Sequence, residues 1–544
     1  MKRIPIYFSL AIFLVLFFIF PKHAFWVRDC GNKFLLMQCF EWNGNPIGSL
    51  PDPGKNIDPK HEFYAIPEPF SYERYGEMVS QYPPYFSILC KPWFEMFSFS
   101  GLLALPFVFG IATSLLTLWI GKRICLFRHA PLLSVVLFFA TPLLFYHFIF
   151  WEHTLSVFLC LAATAFVLCS EKRSLFLMAG VVLGGGLFFR EESLLYFLSL
   201  LAACLMDQNR RAKIGWLLTG FGVMTAVWLS IQNLFGIEPL QHFYQQLQFS
   251  LKNLKTINVL INLVFGSGKS FWMLSLGFLL FLGILTRFFR NSRLQEGVQG
   301  MGVLCILIYA GWLWKSPEKS VEHLLYFNGM LLVFPIILIL FLKKEETKSG
   351  EKYGLDHEEI FLIRVSVGFC ALVGLTCPWI TSFGVHWGPR VLLPVFPLLA
   401  LLILKRFGHF LSPPIKSLRL ALLGGWLLGT LLLQGHALSF LFEKLNLNQK
   451  IEKLLTQAPE KHIVTSIPWL AEEMAPLFLE KSIFYCQDQK NFLQLIELLK
   501  KKNIREFLWV HSATIQESTD QENKELQLPK NVPYFLIKVN HCGV

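Results

Sequence analysis

The sequence predicts an all-α polytopic membrane protein that ends in a small α/β domain. Of its 544 residues, 54% are hydrophobic and only 16% are charged, and the mean hydropathy is +0.49. Apolar stretches of about 17–25 residues, the length that crosses a bilayer, recur over the first four-fifths of the chain. Beyond residue 437, short apolar runs alternate with charged segments instead. This composition excludes an ordinary soluble protein of the same length.

Thirteen apolar stretches are candidate transmembrane helices, and because several are short we expect 11 to 13 spans. They cover about residues 5–21, 97–120, 131–150, 154–170, 174–189, 193–206, 214–236, 270–289, 300–314, 323–342, 361–380, 390–404 and 418–437. The first stretch lacks a small-residue cleavage site after its apolar core, which favours an uncleaved anchor over a signal peptide. We therefore predict a transmembrane domain at residues 1–437 and a small α/β domain at residues 438–544.

The basic residues indicate the orientation of these spans. They concentrate in alternate loops, as expected for loops that face the cytoplasm. These are Lys2 and Arg3; Lys122, Arg123 and Arg128; Arg210, Arg211 and Lys213; Arg290 and Arg293; Lys343, Lys344, Lys348 and Lys352; and Lys405, Arg406 and Lys416. The loop after the first span and, with thirteen spans, the C-terminal domain are then outside. The net charge of +12 reflects this topology and attraction to anionic lipid, and we expect no nucleic-acid partner.

Two long segments outside the predicted spans contain many aromatic or amphipathic residues. Residues 22–96 form the longest loop, and their aromatic content predicts short ordered helices in the membrane interface. Residues 237–269 have the pattern of an interfacial helix followed by a short loop. That second segment either shapes an acceptor groove or is a passive interfacial helix.

The C-terminal region alternates predicted helices and strands, which indicates a small, mostly parallel sheet covered by helices. We predict strands at residues 462–466, 482–485, 506–511 and 534–539, with helices before residue 457 and over 468–480 and 489–502. No Gly-rich turn follows the first strand, so no nucleotide site is assigned. Among the twelve cysteines, no pair has metal-ligand spacing, and Cys30 and Cys39 form either a disulfide or two buried thiols.

Four groups of ionisable residues lie at the outer ends of predicted spans. They are Asp29; Glu152 with His153; Arg190 with Glu191 and Glu192; and His386 with Arg390. A carboxylate can remove a proton from an acceptor, and a guanidinium can bind a phosphate through two hydrogen bonds. Ionisable groups at membrane depth are costly unless paired or hydrated, which makes them functional candidates. Structural interpretations also exist: Asp29 as a loop acid or cap, Arg190 paired to Glu191 or Glu192, and Arg390 reaching to the interface.

Together these features resemble those of bacterial glycosyltransferase family 39 and related membrane transferases of the GT-C fold. This group includes the relatives of protein O-mannosyltransferases and of lipid A aminoarabinose transferases. The resemblance covers the order of elements over roughly residues 1–437, and some relatives also have a small outer C-terminal domain. The matching elements are Asp29 with Lys33, Tyr82-Pro83-Pro84, Glu152, Arg190-Glu191, and Gly388-Pro389-Arg390 with Pro394 and Pro397.

The resemblance implies a polyprenyl-phosphate sugar as donor, Asp29 as base or acceptor ligand, and Glu152 in the same cavity. Asp29 is followed by Cys30, so neither Asp-Glu nor Asp-x-Asp is present, and the resemblance indicates no metal or other cofactor. Other acids of the loop are held in reserve as the base: Glu41, Asp52 and Asp58.

We therefore expect an inverting glycosyltransferase in a bacterial cytoplasmic membrane, with its site on the outer face and a lipid, glycan or protein acceptor. Asp29 is the expected catalytic residue. The expected substrate-binding residues are Lys33, Tyr82, Glu152, His153, Arg190, Glu191, His386 and Arg390.

Three alternatives stay open at this point. A transporter or flippase predicts internal repeats and broken helices at the bilayer midplane, whereas no repeat is found and the ionisable residues cluster at span ends. A surface-polysaccharide polymerase or ligase usually has its main outer loop late in the chain. A membrane scaffold would be favoured if the ionisable residues did not converge.

Overall fold

The structure is a computed structural model that describes residues 4–42, 49–125, 129–234, 262, 264, 292–315, 329–341, 356–376, 386–410, 417–512 and 537–543. The chain forms two compact units, each discontinuous in sequence. The first unit comprises Met1–Ile19, Leu105–Phe148 and Glu152–Phe440. The second comprises Phe20–Ala104, Ile149–Trp151 and Leu441–Val544.

Helices dominate the described residues. In chain order they are α1 (Ile4–Ile19), α2 (Arg28–Trp42), α3 (Tyr85–Phe97), α4 (Phe99–Ile124), α5 (Ala130–Phe139), α6 (Leu143–Tyr146), α7 (His153–Cys169), α8 (Arg173–Gly186), α9 (Glu192–Leu205), α10 (Gln208–Arg211), α11 (Ile214–Leu234), α12 (Ser292–Lys315), α13 (Met330–Val333), α14 (His357–Thr376), α15 (Phe396–Phe410), α16 (Ser417–Gln457), α17 (Leu470–Glu473), α18 (Ala475–Glu480) and α19 (Gln489–Lys501). Two 3₁₀ helices cover Pro335–Phe341 and Arg390–Val395. The strands are β1 (Ser71–Arg74), β2 (Glu77–Ser80), β3 (His462–Thr465), β4 (Ser482–Tyr485), β5 (Glu506–Ser512) and β6 (Ile537–Gly543).

Six helical stretches of the described chain are long and apolar enough to cross a membrane: Phe99–Ile124, Ile214–Asn233, Glu296–Lys315, His357–Thr376, Arg390–Gly408 and Leu418–Gln457. Five shorter apolar helices, α1, α5, α7, α8 and α9, coincide with further predicted spans. Small residues allow these helices to pack closely. A Cβ on Gly180 of α8 would lie 2.2 Å from the Leu217 carbonyl oxygen of α11, and one on Gly220 would lie 2.1 Å from that of Leu177. Such close backbone approach is typical of membrane helix pairs.

Proline interrupts two of the predicted spans. The stretch 131–150 is split between α5 and α6, with Pro142 at the break. Of the stretch 323–342, the described part is the short helix α13 followed by a 3₁₀ helix that begins at Pro335. Proline lacks the N–H that would continue the helical hydrogen bonds. The predicted span 270–289 and nearly all of the segment 237–269 lie outside the described residues.

The second unit combines the long first loop with the C-terminal sheet. The sheet has the strand order β4-β3-β5-β6, in which β3 is parallel to both β4 and β5 and β6 is antiparallel to β5. Phe63, from the loop, lies in the core of this sheet with Val464, Phe484 and Leu495. The Tyr485 N–H donates to the Phe63 carbonyl oxygen at 2.9 Å. The parallel sheet predicted from sequence is present, but its hydrophobic core is completed by residues from the other end of the chain.

Three sequence expectations take a different form in this unit. The helix α16 continues without a break past residue 437, where we placed the domain boundary. The predicted helix 468–480 is two short helices, α17 and α18. Helix α2 is buried over residues 30–37 and packs against α17, so it is a core element of the unit. Cys30 and Cys39 are two buried thiols, which is the second of the two possibilities left open for them.

Candidate active site

Asp29, Lys33 and Tyr82 form the first group of predicted site residues. The Tyr82 hydroxyl donates a hydrogen bond of 2.6 Å to Asp29 Oδ1. Lys33 follows Asp29 by one turn of α2, is 3% exposed, and holds its ammonium 4.2 Å from the centre of the Tyr82 ring. Tyr82 therefore contacts both charged groups. Asp29 also stands in the first turn of its helix, where the helix dipole favours a negative charge.

The reserve acids of the same loop have structural contacts. Asp52 Oδ2 lies 2.8 Å from His61 Nδ1, and Asp52 Oδ1 accepts a hydrogen bond from the Gly54 N–H at 3.0 Å. Asp58 Oδ2 accepts a hydrogen bond of 2.7 Å from the Phe63 N–H. Both acids thereby hold turns of the loop in place. The side chain of Glu41 lies outside the described residues. Asp29 stays the proposed base.

In the first unit, Arg190 joins two carboxylates that are distant in sequence. Its Nε donates to Glu192 Oε2 at 2.9 Å and its Nη2 contacts Glu192 Oε1, which makes the pair bidentate. Its Nη1 donates to Glu152 Oε1 at 3.2 Å. The side chains of Arg190, Glu152 and Glu192 are 19%, 6% and 19% exposed. The pairing of Arg190 within its own turn, weighed as a structural interpretation, is present and is extended to Glu152.

Glu192 is the residue of this group that the site prediction omitted. It belongs to the ionisable group at this span end but is absent from the predicted substrate-binding residues, because sequence alone does not reveal which of two adjacent acids faces the arginine. Glu191 occupies the position just before α9. Burial, with a further contribution from the neighbouring Glu192 charge, raises the pKa of Glu191 to about 7. It is therefore a carboxyl group that can exchange a proton near neutral pH.

The segment that starts at His386 is held by a chain of hydrogen bonds. The Tyr146 hydroxyl donates to the Trp387 carbonyl oxygen at 2.9 Å. The indole N–H of Trp387 donates to Gln434 Oε1 at 2.9 Å, and Gln434 Nε2 donates to the Val333 carbonyl oxygen at 2.6 Å. Trp387 is fully buried and His386 is 2% exposed. The segment therefore has a fixed position in the first unit.

A glycine turn links this segment to Arg390. Gly388 has a φ of +75°, and a Cβ there would lie 3.0 Å from Val333 Cγ2. The turn thus needs glycine on both conformational and steric grounds. Arg390 then begins a 3₁₀ helix. Its positive charge lies close enough to interact electrostatically with the side chains of both Glu192 and Tyr146.

His153 contacts the same tyrosine. Its ring lies edge-on to that of Tyr146, with the ring centres 5.5 Å apart. The first unit therefore brings one set of the predicted residues into a single neighbourhood: Glu152, His153, Arg190, Glu191, His386 and Arg390. The second unit brings together the other three. Among the residues that the structure describes, no three His, Cys, Asp or Glu side chains form a group that could hold a metal ion.

The chain was compared with known proteins by sequence and by structure. No protein-family model matches it, and no curated protein matches it by sequence. By structure it is similar to ArnT from Cupriavidus metallidurans bound to undecaprenyl phosphate, with a TM-score of 0.53 and 10% identity over 98% of this chain and 97% of that one. The apo state of the same ArnT gives a TM-score of 0.51 at 12% identity, over 93% and 92%. This likeness confirms the predicted fold, that of an integral membrane protein of many helices.

Proposed function

We propose that this chain is a membrane glycosyltransferase that moves a sugar from a polyprenyl-phosphate donor to a lipid, glycan or protein acceptor. We place the reaction on the outer face of a bacterial cytoplasmic membrane. The observation that carries the proposal is the fold likeness to ArnT, which extends over nearly the full length of both chains and includes a structure bound to undecaprenyl phosphate. Ionisable side chains at the ends of apolar helices provide the chemical groups that such a reaction needs.

The reaction exchanges one bond at the anomeric carbon for another. The acceptor oxygen forms a bond to that carbon, the bond to the phosphate oxygen breaks, and the electron pair leaves with the lipid phosphate. The acceptor hydroxyl must lose its proton, and we assign this step to the Asp29 carboxylate. Its hydrogen bond from Tyr82 fixes the orientation of the carboxylate that would accept the proton.

The departing phosphate requires positive charge. Arg190 is bonded to Glu192 and Glu152, so its charge is already balanced by carboxylates. We therefore assign Arg190 to the support of the site and Arg390 to the phosphate. Arg390 stands at the start of its helix, directly after the turn at Gly388. Because a guanidinium can donate two parallel hydrogen bonds to phosphate oxygens, it suits this role better than a lysine would.

Glu152, Glu191, His153 and His386 would contact the sugar or the acceptor. Carboxylates and imidazoles can accept hydrogen bonds from sugar hydroxyls. The proposal needs neither a metal nor another cofactor, since a carboxylate and a guanidinium supply the proton acceptor and the positive charge.

Sugar transfer by the purified full-length protein tests the proposal. The protein in detergent is given undecaprenyl phosphates that carry different labelled sugars, together with lipid, glycan and peptide acceptors. We expect transfer by the parent, a fall in kcat of about 100-fold or more for Asp29→Asn, and a fall of about 100-fold for Arg390→Ala. Arg364→Ala is the matched control, because Arg364 is partly exposed and, within the described residues, its guanidinium donates to the backbone carbonyl oxygen of Met206.

Two results would contradict these assignments. Full activity of both variants at parental protein levels would remove Asp29 and Arg390 from the site. Absence of both transfer and binding of undecaprenyl phosphate by the parent, with the binding measured by native mass spectrometry, would overturn the function itself.

A further inference from the structure

Two adjacent buried acids in the C-terminal region contact the segment that carries Asp29. Glu472 and Glu473 end the short helix α17 and are 0% and 5% exposed. Both lie in the second unit, as does Asp29. They are consecutive in sequence, yet their side chains bind different partners. We call them the carboxylate pair.

Glu472 binds the first turns of α2. It forms an ion pair with the Arg28 Nε and accepts a hydrogen bond of 3.3 Å from Asn32 Nδ2. Arg28 and Asn32 are one helical turn apart, so they lie on the same face of α2, and Asp29 stands between them in the sequence. Glu472 therefore fixes the turn of helix to which Asp29 belongs.

Glu473 acts on the residues that lead into the same helix. It pairs with Lys444 at 3.0 Å and accepts a hydrogen bond from Asn448 at 2.7 Å. Those two side chains also donate to the carbonyl oxygens of Trp26 and Phe25. The carboxylate pair and its partners thereby hold both the entry to α2 and its first turns.

The backbone approach at this contact is unusually close. A Cβ on Gly31 would lie 1.5 Å from the Glu472 carbonyl oxygen. Only glycine fits there, so α2 and α17 touch through their backbones. The Asp29 side chain itself accepts the hydrogen bond from Tyr82. The carboxylate pair therefore fixes the helix that carries Asp29, and the loop fixes its carboxylate.

A contribution to stability alone does not explain why two carboxylates are buried in the protein interior here. Removing a charge from water costs several kcal/mol per ion, and well-packed apolar side chains often replace a buried ion pair without loss of stability. Hydrogen-bonded ions differ from apolar side chains in fixing both distance and direction. A residue that must donate or accept a proton needs that kind of supporting contact.

We propose that Glu472, through Arg28 and Asn32, is a positioning residue for Asp29, and that the C-terminal α/β region serves to hold the Asp29 helix in its productive place. This inference rests on the proposed function, in which Asp29 accepts the proton of the acceptor. Glu473 supports it by fixing the backbone before α2.

The test uses the full-length protein and two variants of the contact. Glu472→Ala removes the carboxylate. Arg28→Met with Glu472→Met replaces the ion pair by apolar side chains of similar length. Glu296→Ala is the matched control, because Glu296 forms a similar part-buried ion pair with Arg419 at 3.1 Å in the first unit. The readouts are kcat and KM for sugar transfer, the thermal midpoint, and hydrogen exchange of peptides that cover residues 25–33.

We expect Glu472→Ala to lower kcat by about 10- to 100-fold, the cost of a misplacement of about 1 Å, with little change in KM. Exchange over residues 25–33 should rise in this variant and not in the control. The double Met variant should keep the parental thermal midpoint and still have the low kcat, since a merely structural role would be restored by the apolar pair.

Full kcat in the double Met variant, or unchanged exchange in Glu472→Ala, would overturn the positioning role. A different result is also possible: the parent protein shows no transferase activity, yet hydrogen exchange over residues 25–33 is faster in Glu472→Ala than in the parent. That result would show that the carboxylate pair restrains this segment, and it would overturn the proposed function. Failure of the positioning role and failure of the proposed function can therefore be distinguished.

Discussion

The Tyr82 hydroxyl donates a hydrogen bond of 2.6 Å to the Asp29 carboxylate across 53 positions of sequence. Lys33 contacts the face of the same tyrosine ring. The beginning and the end of the first long loop thus meet at the residue to which we assign proton removal.

The first prediction concerns Tyr82. Tyr82→Phe removes the donor to Asp29 Oδ1 and retains the ring that Lys33 contacts. Because a hydrogen bond to a charged group contributes about 1.5–3 kcal/mol, we expect kcat for sugar transfer to fall by roughly 10- to 100-fold. Initial rates with saturating donor measure this change. Tyr72→Phe, which changes an exposed tyrosine of strand β1, is the control. Equal rates for the parent and Tyr82→Phe would contradict the assigned role.

The second prediction concerns the stability provided by Arg190. Arg190→Met leaves the carboxylates of Glu152 and Glu192 without their shared cation. Breaking a buried ion pair from one side costs about 3–5 kcal/mol, so we expect a clearly lower thermal midpoint in detergent. Adding Glu152→Gln and Glu192→Gln should recover most of the loss.

Arg419→Met provides the comparison for this experiment, since the described residues pair Arg419 with Glu296, whereas Arg190 pairs with two carboxylates. Its loss of stability should be smaller than that of Arg190→Met. A thermal midpoint of Arg190→Met equal to the parental value would show that the three charges do not support one another.

The third prediction concerns the pH dependence of stability. Burial raises the pKa of Glu472 to about 7, against an opposing effect of Arg28, whereas an unfolded Glu titrates near 4.3. The folded protein therefore binds the proton more tightly. The corresponding stabilisation, roughly 3 kcal/mol, is fully present below about pH 4 and is lost as the pH rises through about 7.

Thermal midpoints of the full-length protein between pH 5 and 8 check this sign. Glu472→Gln has no proton to release, so the fall in midpoint over this range should be smaller in the variant than in the parent. Other buried acids add to the slope of both proteins, and their contribution cancels in the difference. An identical slope in the two proteins would contradict the prediction.

The fourth prediction compares two glycines. Gly31→Ala inserts a methyl group against the Glu472 backbone, where it would lie 1.5 Å from the carbonyl oxygen. We expect a loss of at least about 1–3 kcal/mol, the usual cost of overpacking. Gly222 lies within α11 and has open space around its Cβ position, so Gly222→Ala should stabilise the protein by about 0.5–1 kcal/mol. Thermal unfolding of both variants measures the contrast, and a harmless Gly31→Ala would contradict the close contact of α2 with α17.

Local patterns were enough to predict most elements of the fold. Apolar length identified the long helices α4, α11 and α14, because a helix must bury about 20 residues in hydrocarbon. Alternation of strands and helices identified the parallel sheet, since a parallel connection needs a crossover. The breaks in the stretches 131–150 and 323–342 were missed, although Pro142 and Pro335 were visible in the sequence. Apolar composition alone does not show whether a proline kinks a helix or ends it.

The sequence by itself determined the helical membrane fold, the small parallel sheet and the types of residue that stand at the span ends. These follow from hydropathy and spacing, which are local properties of the chain. Only the tertiary structure decided which distant groups meet: that Arg190 also pairs with Glu152, that Tyr82 donates a hydrogen bond to Asp29, and that Glu472 pairs with Arg28, 444 positions away. Such pairings depend on the packing of distant segments, and no short stretch of sequence encodes them.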